Sequence, residues 1–483
     1  MVAAGGSEEP ELVYSAFGKY ERMFIITMVT LAGLASPLSS QIYYPAVPIL
    51  ADYYGVTVGK INLTITTYMI VQGLAPAFLS SFADSGGRRP AYILAFITYF
   101  MANLGLALQD NYAALLALRC LQSAGSSATF SLGYGVAADI AASRQRGRYM
   151  GSMNAGFMTA LAFGPFLGGI LVQWQGWRSI FWFLVIASGS YMVLYLVAVP
   201  ETSRQLVGNG TFCPSSPLRM SGIQCLQAWC KRASSVDPNV LRRQDNSTNP
   251  RLQTYNPIRA LEVFRSKSAA IVICHLGLNY TFNIMMGTST ANLFGRLYNL
   301  DSMKVGLCFL PAGICGCIGS LLTGIIADRN YQRFSHRLGY TSDNQVRTGP
   351  QKFPFEKARL QIVFPLTAVV ITCLLLYGWM LQRRVPLAVL LVLQGIQGFC
   401  STGSISVLST LLTDLNPTRP ATASAASNMV RCWLGAGAVA ALDHMFNGMG
   451  FGWCFSFMGL LLLASVPLLC LVYVYGLEWR TAS

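Results

Sequence analysis

Ser80-Ser81-Phe82-Ala83-Asp84-Ser85-Gly86-Gly87-Arg88-Arg89-Pro90 closes an apolar stretch near the start of the chain, and Gly324-Ile325-Ile326-Ala327-Asp328-Arg329 closes another in the second half. In both, an apolar run long enough for a helix ends in Ala-Asp and passes into a basic loop. A chain that writes the same helix-to-loop junction twice, roughly half its length apart, is built from two halves of similar architecture. Internal repeats on that scale are how many secondary transporters are made.

The composition says what surrounds those helices. Of 483 residues, 53% are hydrophobic and 11% charged, and the mean hydropathy is +0.47. Soluble domains carry about 25% charged residues, so long stretches of this chain face lipid. A span needs about 20 apolar residues. Such runs fall near 23–43, 59–81, 91–109, 113–136, 149–172, 179–199, 268–292, 303–327, 360–381, 386–412, 421–444 and 452–475. The expected fold is therefore an all-α membrane protein of twelve transmembrane helices in two pseudo-symmetric six-helix bundles. The expected segments are a cytoplasmic N-terminus (1–22), an N-terminal bundle (23–200), a linker (201–267), a C-terminal bundle (268–475) and a cytoplasmic C-terminus (476–483). Met1 to Arg22 holds four Glu and no apolar core, unlike a cleaved signal.

An even number of spans puts both termini on one side. The loops on that side hold 26 of the 34 Lys and Arg, the opposite loops hold six, and two lie inside spans. Basic loops stay cytoplasmic, so both termini are expected there, with the plasma membrane as the expected location. The net charge of +15 is thus an orientation signal, not a nucleic-acid-binding surface. The linker is rich in Ser, Asn, Pro and Arg and reads as a solvated tether. Its sequon Asn209-Gly210-Thr211 is on the wrong side for glycosylation.

The 13 Cys include no C-x-x-C pair, and the three His do not cluster. No metal site or cofactor is expected. A lone Cys in an apolar helix, such as Cys274 or Cys470, acts as a small hydrophobe.

The first Ala-Asp loop resembles the cytoplasmic signature of the major facilitator superfamily, Gly-x-Leu-Ala-Asp-Arg-x-Gly-Arg-Arg. Ala83, Asp84, Gly87, Arg88 and Arg89 match, whereas Ser80, Phe82 and Ser85 depart; the second copy keeps Gly324, Asp328 and Arg329. The resemblance implies a cytoplasmic gate built from Asp84, Arg88, Arg89, Asp328 and Arg329, in which charge-assisted pairs hold one conformation and break in another. The degraded first copy predicts an asymmetric gate. In span 5, Ala160-x-x-x-Gly164-Pro165-Phe166-Leu167-Gly168-Gly169 is similar to the motif of drug:proton antiporters. Pro165 removes a backbone donor, and Gly164, Gly168 and Gly169 permit close helix approach, so these four are expected to bend the helix at a moving interface. Further stretches resemble fungal exporters of the quinidine-resistance and citrate-exporter type: Ser36 to Ala46, Tyr68 to Pro76, Gly176 to Phe183, and Asn428-x-x-Arg431-Cys432-x-Leu434-Gly435.

Two cations lie inside the membrane. Arg119, in Arg119-x-x-Gln122, sits in span 4. Arg431 lies about ten residues into span 11, roughly 15 Å along the helix. An Arg at that depth costs at least ~2.5 kcal/mol and faces the bundle interior. None of the 19 acidic residues falls at a span centre; Asp52, Asp110, Asp301 and Asp443 lie at outer ends and the rest on the cytoplasmic side. The cavity should therefore be electropositive and select an anionic or hydrogen-bond-accepting substrate. Candidate contacts to substrate or coupling proton are Arg119, Gln122, Asn428, Arg431, Gln41, Tyr68, Gln72 and Tyr280. Asn283, Gln394 and Gln397 could also line the path. His275, about seven residues into span 7, could titrate or simply pack.

The expected protein is a secondary active efflux transporter for a small organic molecule, an organic acid or acidic metabolite by preference, working by alternating access and driven by the proton gradient or by the substrate's own gradient. It needs no enzyme chemistry, no nucleic acid and no second copy, so a monomer is expected. A pump for neutral or cationic drugs is the closest alternative. A non-transporting nutrient sensor would be expected to carry a long cytoplasmic tail where only Glu478 to Ser483 follow span 12. A membrane acyltransferase would need an interfacial catalytic His.

Overall fold

The computed structural model describes residues 17–140, 143–207, 219–224, 262–337, 354–416 and 420–481. Among the described residues the chain is helical throughout. In a bilayer every backbone N–H and C=O must be satisfied within the segment, which an uninterrupted helix achieves.

Among the described residues, nine helical segments are long and apolar enough to cross a membrane. One of them belongs to the helix Pro420–Thr481, which breaks at Gly450 (φ 76) and so contains spans 11 and 12. The helices Tyr112–Ile140 and Ser143–Gln175 supply spans 4 and 5. The remaining spans are Val58–Gly86 (span 2), Arg88–Leu108 (span 3), Arg178–Ala198 (span 6), Lys267–Tyr298 (span 7), Phe355–Gln382 (span 9) and Leu387–Leu415 (span 10). Spans 1 and 8 are built from pieces, and the total is twelve.

Span 1 runs as Lys19–Gly33, Ala35–Gln41, a 3₁₀ turn at Tyr44–Ala46 and Val47–Tyr54. Pro45 lacks the N–H a continuous α-helix would use, and the tighter turn forms there. Span 8 begins as the short helix Ser302–Leu307 and continues as Leu310–Arg337. It extends ten residues past Ala327, beyond the end expected from apolar length alone. Apolar runs mark the hydrocarbon core, whereas a helix continues for as long as its residues favour it. Local caps set other ends: Thr57 accepts from the Lys60 N–H at the start of span 2, Ser266 accepts from the Ala269 N–H at the start of span 7, and Asn299 ends span 7 in the left-handed conformation (φ 51).

Four apolar clusters organise the packing. On the inner side, where the described chain ends lie, one cluster holds only first-half residues, including Val29, Tyr92 and Tyr195. Another holds only second-half residues, including Ile273, Leu408 and Leu469. The outer cluster mixes both halves: Tyr43, Tyr44, Trp177 and Phe181 pack with Ile284, Phe309 and Val439. Among the described residues, the apolar contact that joins the halves lies at the outer side. Large apolar side chains such as Leu321 (64% exposed) and Ile186 (69%) point outward, where acyl chains would cover them.

Candidate functional site: a central cavity beneath an outer seal

Two helix pairs make most of the contact between the halves. Spans 5 and 8 approach most closely at their outer ends. A side chain at Gly169 would put its Cβ 2.5 Å from the Ser302 carbonyl oxygen, and one at Gly306 would put it 2.6 Å from the Pro165 carbonyl oxygen. Gly168 lies against the Ile42 carbonyl and Gly164 against Gln41. The glycines of the span 5 motif therefore serve contact with spans 1 and 8, and the helix Ser143–Gln175 runs unbroken through Pro165. Spans 2 and 11 join through Thr66, whose hydroxyl donates to the Ala436 carbonyl at 3.3 Å, and Asn428, whose amide donates to the Gln72 carbonyl at 3.2 Å. Tyr44 stacks on Phe309 across the halves, ring centroids 5.9 Å apart.

Beneath this seal lies a cavity of about 110 Å³, lined by Gln41 and Tyr44 of span 1, Tyr280, Asn283 and Thr290 of span 7, Phe309 of span 8, Gln394, Gln397 and Thr402 of span 10, and Arg431 of span 11. A cavity of about 150 Å³ holds one benzene, so a larger guest enters only as the inner side widens. The walls combine aromatic faces with side-chain amides and one guanidinium, a lining suited to a polar organic guest.

The two membrane arginines occupy different settings. Arg431 is half-buried and lines the cavity. Its Nη2 donates to Asn428 Oδ1 at 2.6 Å, and its guanidinium lies 4.5 Å from the Tyr280 ring centre. Its Nε is buried without a hydrogen-bond partner among the described residues. Arg119 is 1% exposed and lies outside the cavity lining. It is sandwiched 4.1 Å from the Tyr43 ring and 4.5 Å from the Tyr68 ring, and its Nη1 donates to Gln122 Oε1 at 2.6 Å. Gln122 in turn donates to Asn103 Oδ1 at 2.6 Å. Among the described residues neither arginine has a carboxylate within 4 Å. Aromatic faces and amide oxygens, not counter-ions, hold both charges.

Of the other residues expected at the site, Gln41 and Tyr280 line the cavity, whereas Tyr68, Gln72, Gln122 and Asn428 stand behind it. Tyr68 bonds the Ser36 carbonyl and Ser126, and Gln72 donates to Ser36 Oγ at 3.2 Å. His275 lies fully buried within the second half, Nδ1 2.7 Å from Ser465 Oγ and Nε2 3.4 Å from Thr367 Oγ1. Its partners belong to spans 9 and 12, and it does not line the cavity. Phe309 and Thr290 line the cavity although no sequence motif marks them.

The inner-side charges fall into two networks, one in each half. Arg88 Nε donates to Asp139 Oδ2 at 2.9 Å. Buried Arg89 donates to the carbonyls of Val199 and Leu196 at the end of span 6. Glu201 accepts from four backbone N–H groups, those of Arg88, Arg89, Thr202 and Ser203. Gly87 (φ 109) lets the loop turn there, and a Cβ on it would meet Glu201 Oε2 at 2.6 Å. In the second half Arg359 pairs with Asp328 at 3.1 Å and Asp414 at 3.3 Å, and Arg480 with Glu356 at 3.5 Å. Arg329 is exposed. The side chain of Asp84 and most of the linker, including the sequon at Asn209, lie outside the described residues. Glu201, Thr202 and Ser203 are buried, so the first residues of the linker dock onto the first half instead of being solvated. Nothing in the sequence marks Glu201 as the organiser of this loop, because the Arg88 and Arg89 N–H groups lie more than 110 positions away.

The chain belongs to the major facilitator superfamily, whose family model matches residues 29–440. It is 37% identical over 479 residues to an MFS-type transporter, phiD, of a fungal species, covering 99% of this chain and 72% of that one. It is 36% identical over 486 residues to citrate exporter 1 of Aspergillus niger, covering 99% and 90%. Among solved structures it resembles a partially occluded inward open conformation of the xylose transporter XylE from E. coli, with TM-score 0.62 and 14% identity over 94% of this chain and 97% of that one. It also resembles the human organic anion transporter MFSD10, with TM-score 0.55 and 17% identity over 93% and 99%. These two share the fold alone. The protein is an integral membrane transporter of this superfamily.

Proposed function

We propose that this transporter exports a small organic anion, an organic acid or acidic metabolite, across the plasma membrane by alternating access coupled to protons. The carrying observation is Arg431: a guanidinium at the cavity wall, with no carboxylate beside it and no partner for its Nε among the described residues. A cationic guest would meet unpaired like charge there, while a carboxylate would satisfy both the charge and the free donor. Tyr280, Asn283, Gln394 and Gln397 offer further hydrogen bonds. Relatives named citrate exporter and MFS-type transporter agree with this reading.

In this scheme the bundles 23–200 and 268–475 rock about the central cavity, joined by the linker 201–267, with both termini cytoplasmic. The outer seal at Gly169 and Gly306 opens as the inner side closes. Asp84, Arg88, Arg89, Asp328 and Arg329 then come together as the inner gate, for which the networks around Asp139, Glu201 and Arg359 hold the loops in place. Arg119 and Gln122 stabilise the wall behind the site and take part in proton coupling.

The test is efflux from cells or vesicles loaded with a labelled panel that includes citrate, aromatic acids and lipophilic cations. Acids should be exported in preference, and the flux should respond to an imposed proton gradient. Export of lipophilic cations over acids would overturn the anion reading and favour a drug pump.

A further inference from the structure

Span 8 has an outward face that the cavity does not use. On the helix Leu310–Arg337, Ile314, Ile318, Leu322 and Ile325 recur at spacings of three and four and are all 45–50% exposed. No described residue covers this stripe, so it faces acyl chains. The same spacing continues past Ala327 as Arg329, Arg333 and Arg337, joined by His336, and these residues share one face at the inner end of the helix. All four are exposed. One continuous helix therefore carries a lipid-facing apolar stripe directly into a cationic one.

This stripe differs from the rest of the inner-side charge. Arg88, Arg359 and Arg480 each pair with a carboxylate. Among the described residues, no carboxylate lies within 4 Å of Arg329, Arg333 or Arg337. Asp328, next in sequence to Arg329, is taken up by Arg359. The reach of the stripe is also informative. At 1.5 Å per residue, Arg337 stands roughly 16 Å beyond Ile326. A headgroup layer is about 5–8 Å thick on each side of the hydrocarbon. The three guanidiniums thus span the layer of lipid phosphates and continue above it.

We propose that this stripe binds an anionic phospholipid of the inner leaflet whose phosphorylated headgroup rises above the bilayer surface, of the phosphoinositide class. Its acyl chains lie on Ile318, Leu322 and Ile325. While the inner side is open, Arg329 meets the phosphodiester and leaves it for the gate when that side closes; Arg333 and Arg337 meet the ring phosphates as charge-assisted, forked pairs. Juxtamembrane basic residues on the cytoplasmic side attract such lipids additively, and the distribution of Lys and Arg over the loops puts this end of span 8 on that side. The site does not depend on what the cavity carries.

The test uses the purified full chain in detergent micelles with dioctanoyl phosphatidylinositol bisphosphate, dioctanoyl phosphatidylserine, dioctanoyl phosphatidylcholine or free inositol trisphosphate, read by native mass spectrometry and thermal shift. The phosphoinositide should bind in preference to the other three. The triple variant Arg329→Gln, Arg333→Gln, Arg337→Gln should lose affinity on the order of a hundredfold while unfolding at the parent's temperature in phosphatidylcholine. The corresponding triple Lys variant, which keeps the charge but loses the fork, should bind more weakly than the parent and more tightly than the triple Gln variant. A control on the outer side, Arg383→Gln with Arg384→Gln, should bind like the parent. Undiminished binding by the triple Gln variant, or an equal loss in the outer control, would overturn the site. Equal binding of phosphatidylserine would overturn the headgroup assignment, and equal binding of free inositol trisphosphate would make the ligand a soluble phosphate.

Discussion

Arg431 Nη2 donates to Asn428 Oδ1 at 2.6 Å, one helical turn earlier on span 11, and the same Asn428 donates to the Gln72 carbonyl of span 2. One asparagine thus connects the cavity cation to the contact between the halves. A ligand drawing on Arg431 would pull on a bond that joins the moving parts, which gives substrate binding a physical route to the outer seal.

Replacing Arg431 should therefore impair transport without harming the fold. Hydrogen bonds to charged groups contribute about 1.5–3 kcal/mol, so Arg431→Ala should weaken apparent affinity by about 10- to 100-fold. Arg431→Lys keeps the charge but loses the fork and should also be impaired. Efflux normalised to protein in the membrane checks this; normal efflux in both variants would make Arg431 structural.

Arg119 should behave differently. It is buried without a counter-ion, and its desolvation is offset by two tyrosine faces and Gln122. Arg119→Met removes the buried charge and fills the volume, so stability should change by less than about 2 kcal/mol. Transport should nevertheless be lost, because the wall behind the site loses its charge. A large drop in unfolding temperature would show that the cation is required for folding.

The outer seal should respond to a single methyl group. In Gly306→Ala the new Cβ would lie 2.6 Å from the Pro165 carbonyl oxygen, and overpacking of this kind costs typically 1–3 kcal/mol. That cost falls only on the outward-closed form. Labelling of a cysteine placed at Ser302 by an impermeant thiol reagent should rise about fivefold or more in the Gly306→Ala background, over the background of the native cysteines. Unchanged labelling would mean that spans 5 and 8 do not seal the outer side.

Arg359 joins Asp328 and Asp414 at the inner end of the second half. Arg359→Gln leaves the largely buried Asp414 without its cation and should cost on the order of 2 kcal/mol. Adding Asp414→Asn should recover part of that loss, a coupling a double-mutant cycle detects in thermal unfolding. Additive losses would show that the pair contributes no stability.

Much of the fold is legible in the sequence because a bilayer turns structure into a one-dimensional signal. Apolar length marks each span, loop cations mark the side, and the twice-written Ala-Asp junction marks the two halves. The same reading finds Arg119 and Arg431 as membrane cations and Asn428 and Gln122 as their neighbours, since an i, i+3 spacing places each pair on one helix face. What a single chain could not reveal is which face meets which neighbour. His275 reads as a candidate proton carrier by position, yet packing hands both its ring nitrogens to Ser465 and Thr367. Glu201 reads as the start of a tether, yet it collects the N–H groups of the Arg88 loop.

The sequence by itself determined that this is a twelve-span, two-bundle membrane protein with two cations buried away from acid. Hydrophobic length and charge are properties of residues in order, and they require no knowledge of contacts. Only the tertiary structure decided that Arg431 reaches the cavity while Arg119 is enclosed by tyrosines, that the halves meet at glycines of spans 5 and 8, and that the inner-side carboxylates bind within their own halves. Those outcomes depend on the rotation of each helix about its own axis and on neighbours hundreds of residues away, and packing alone sets both.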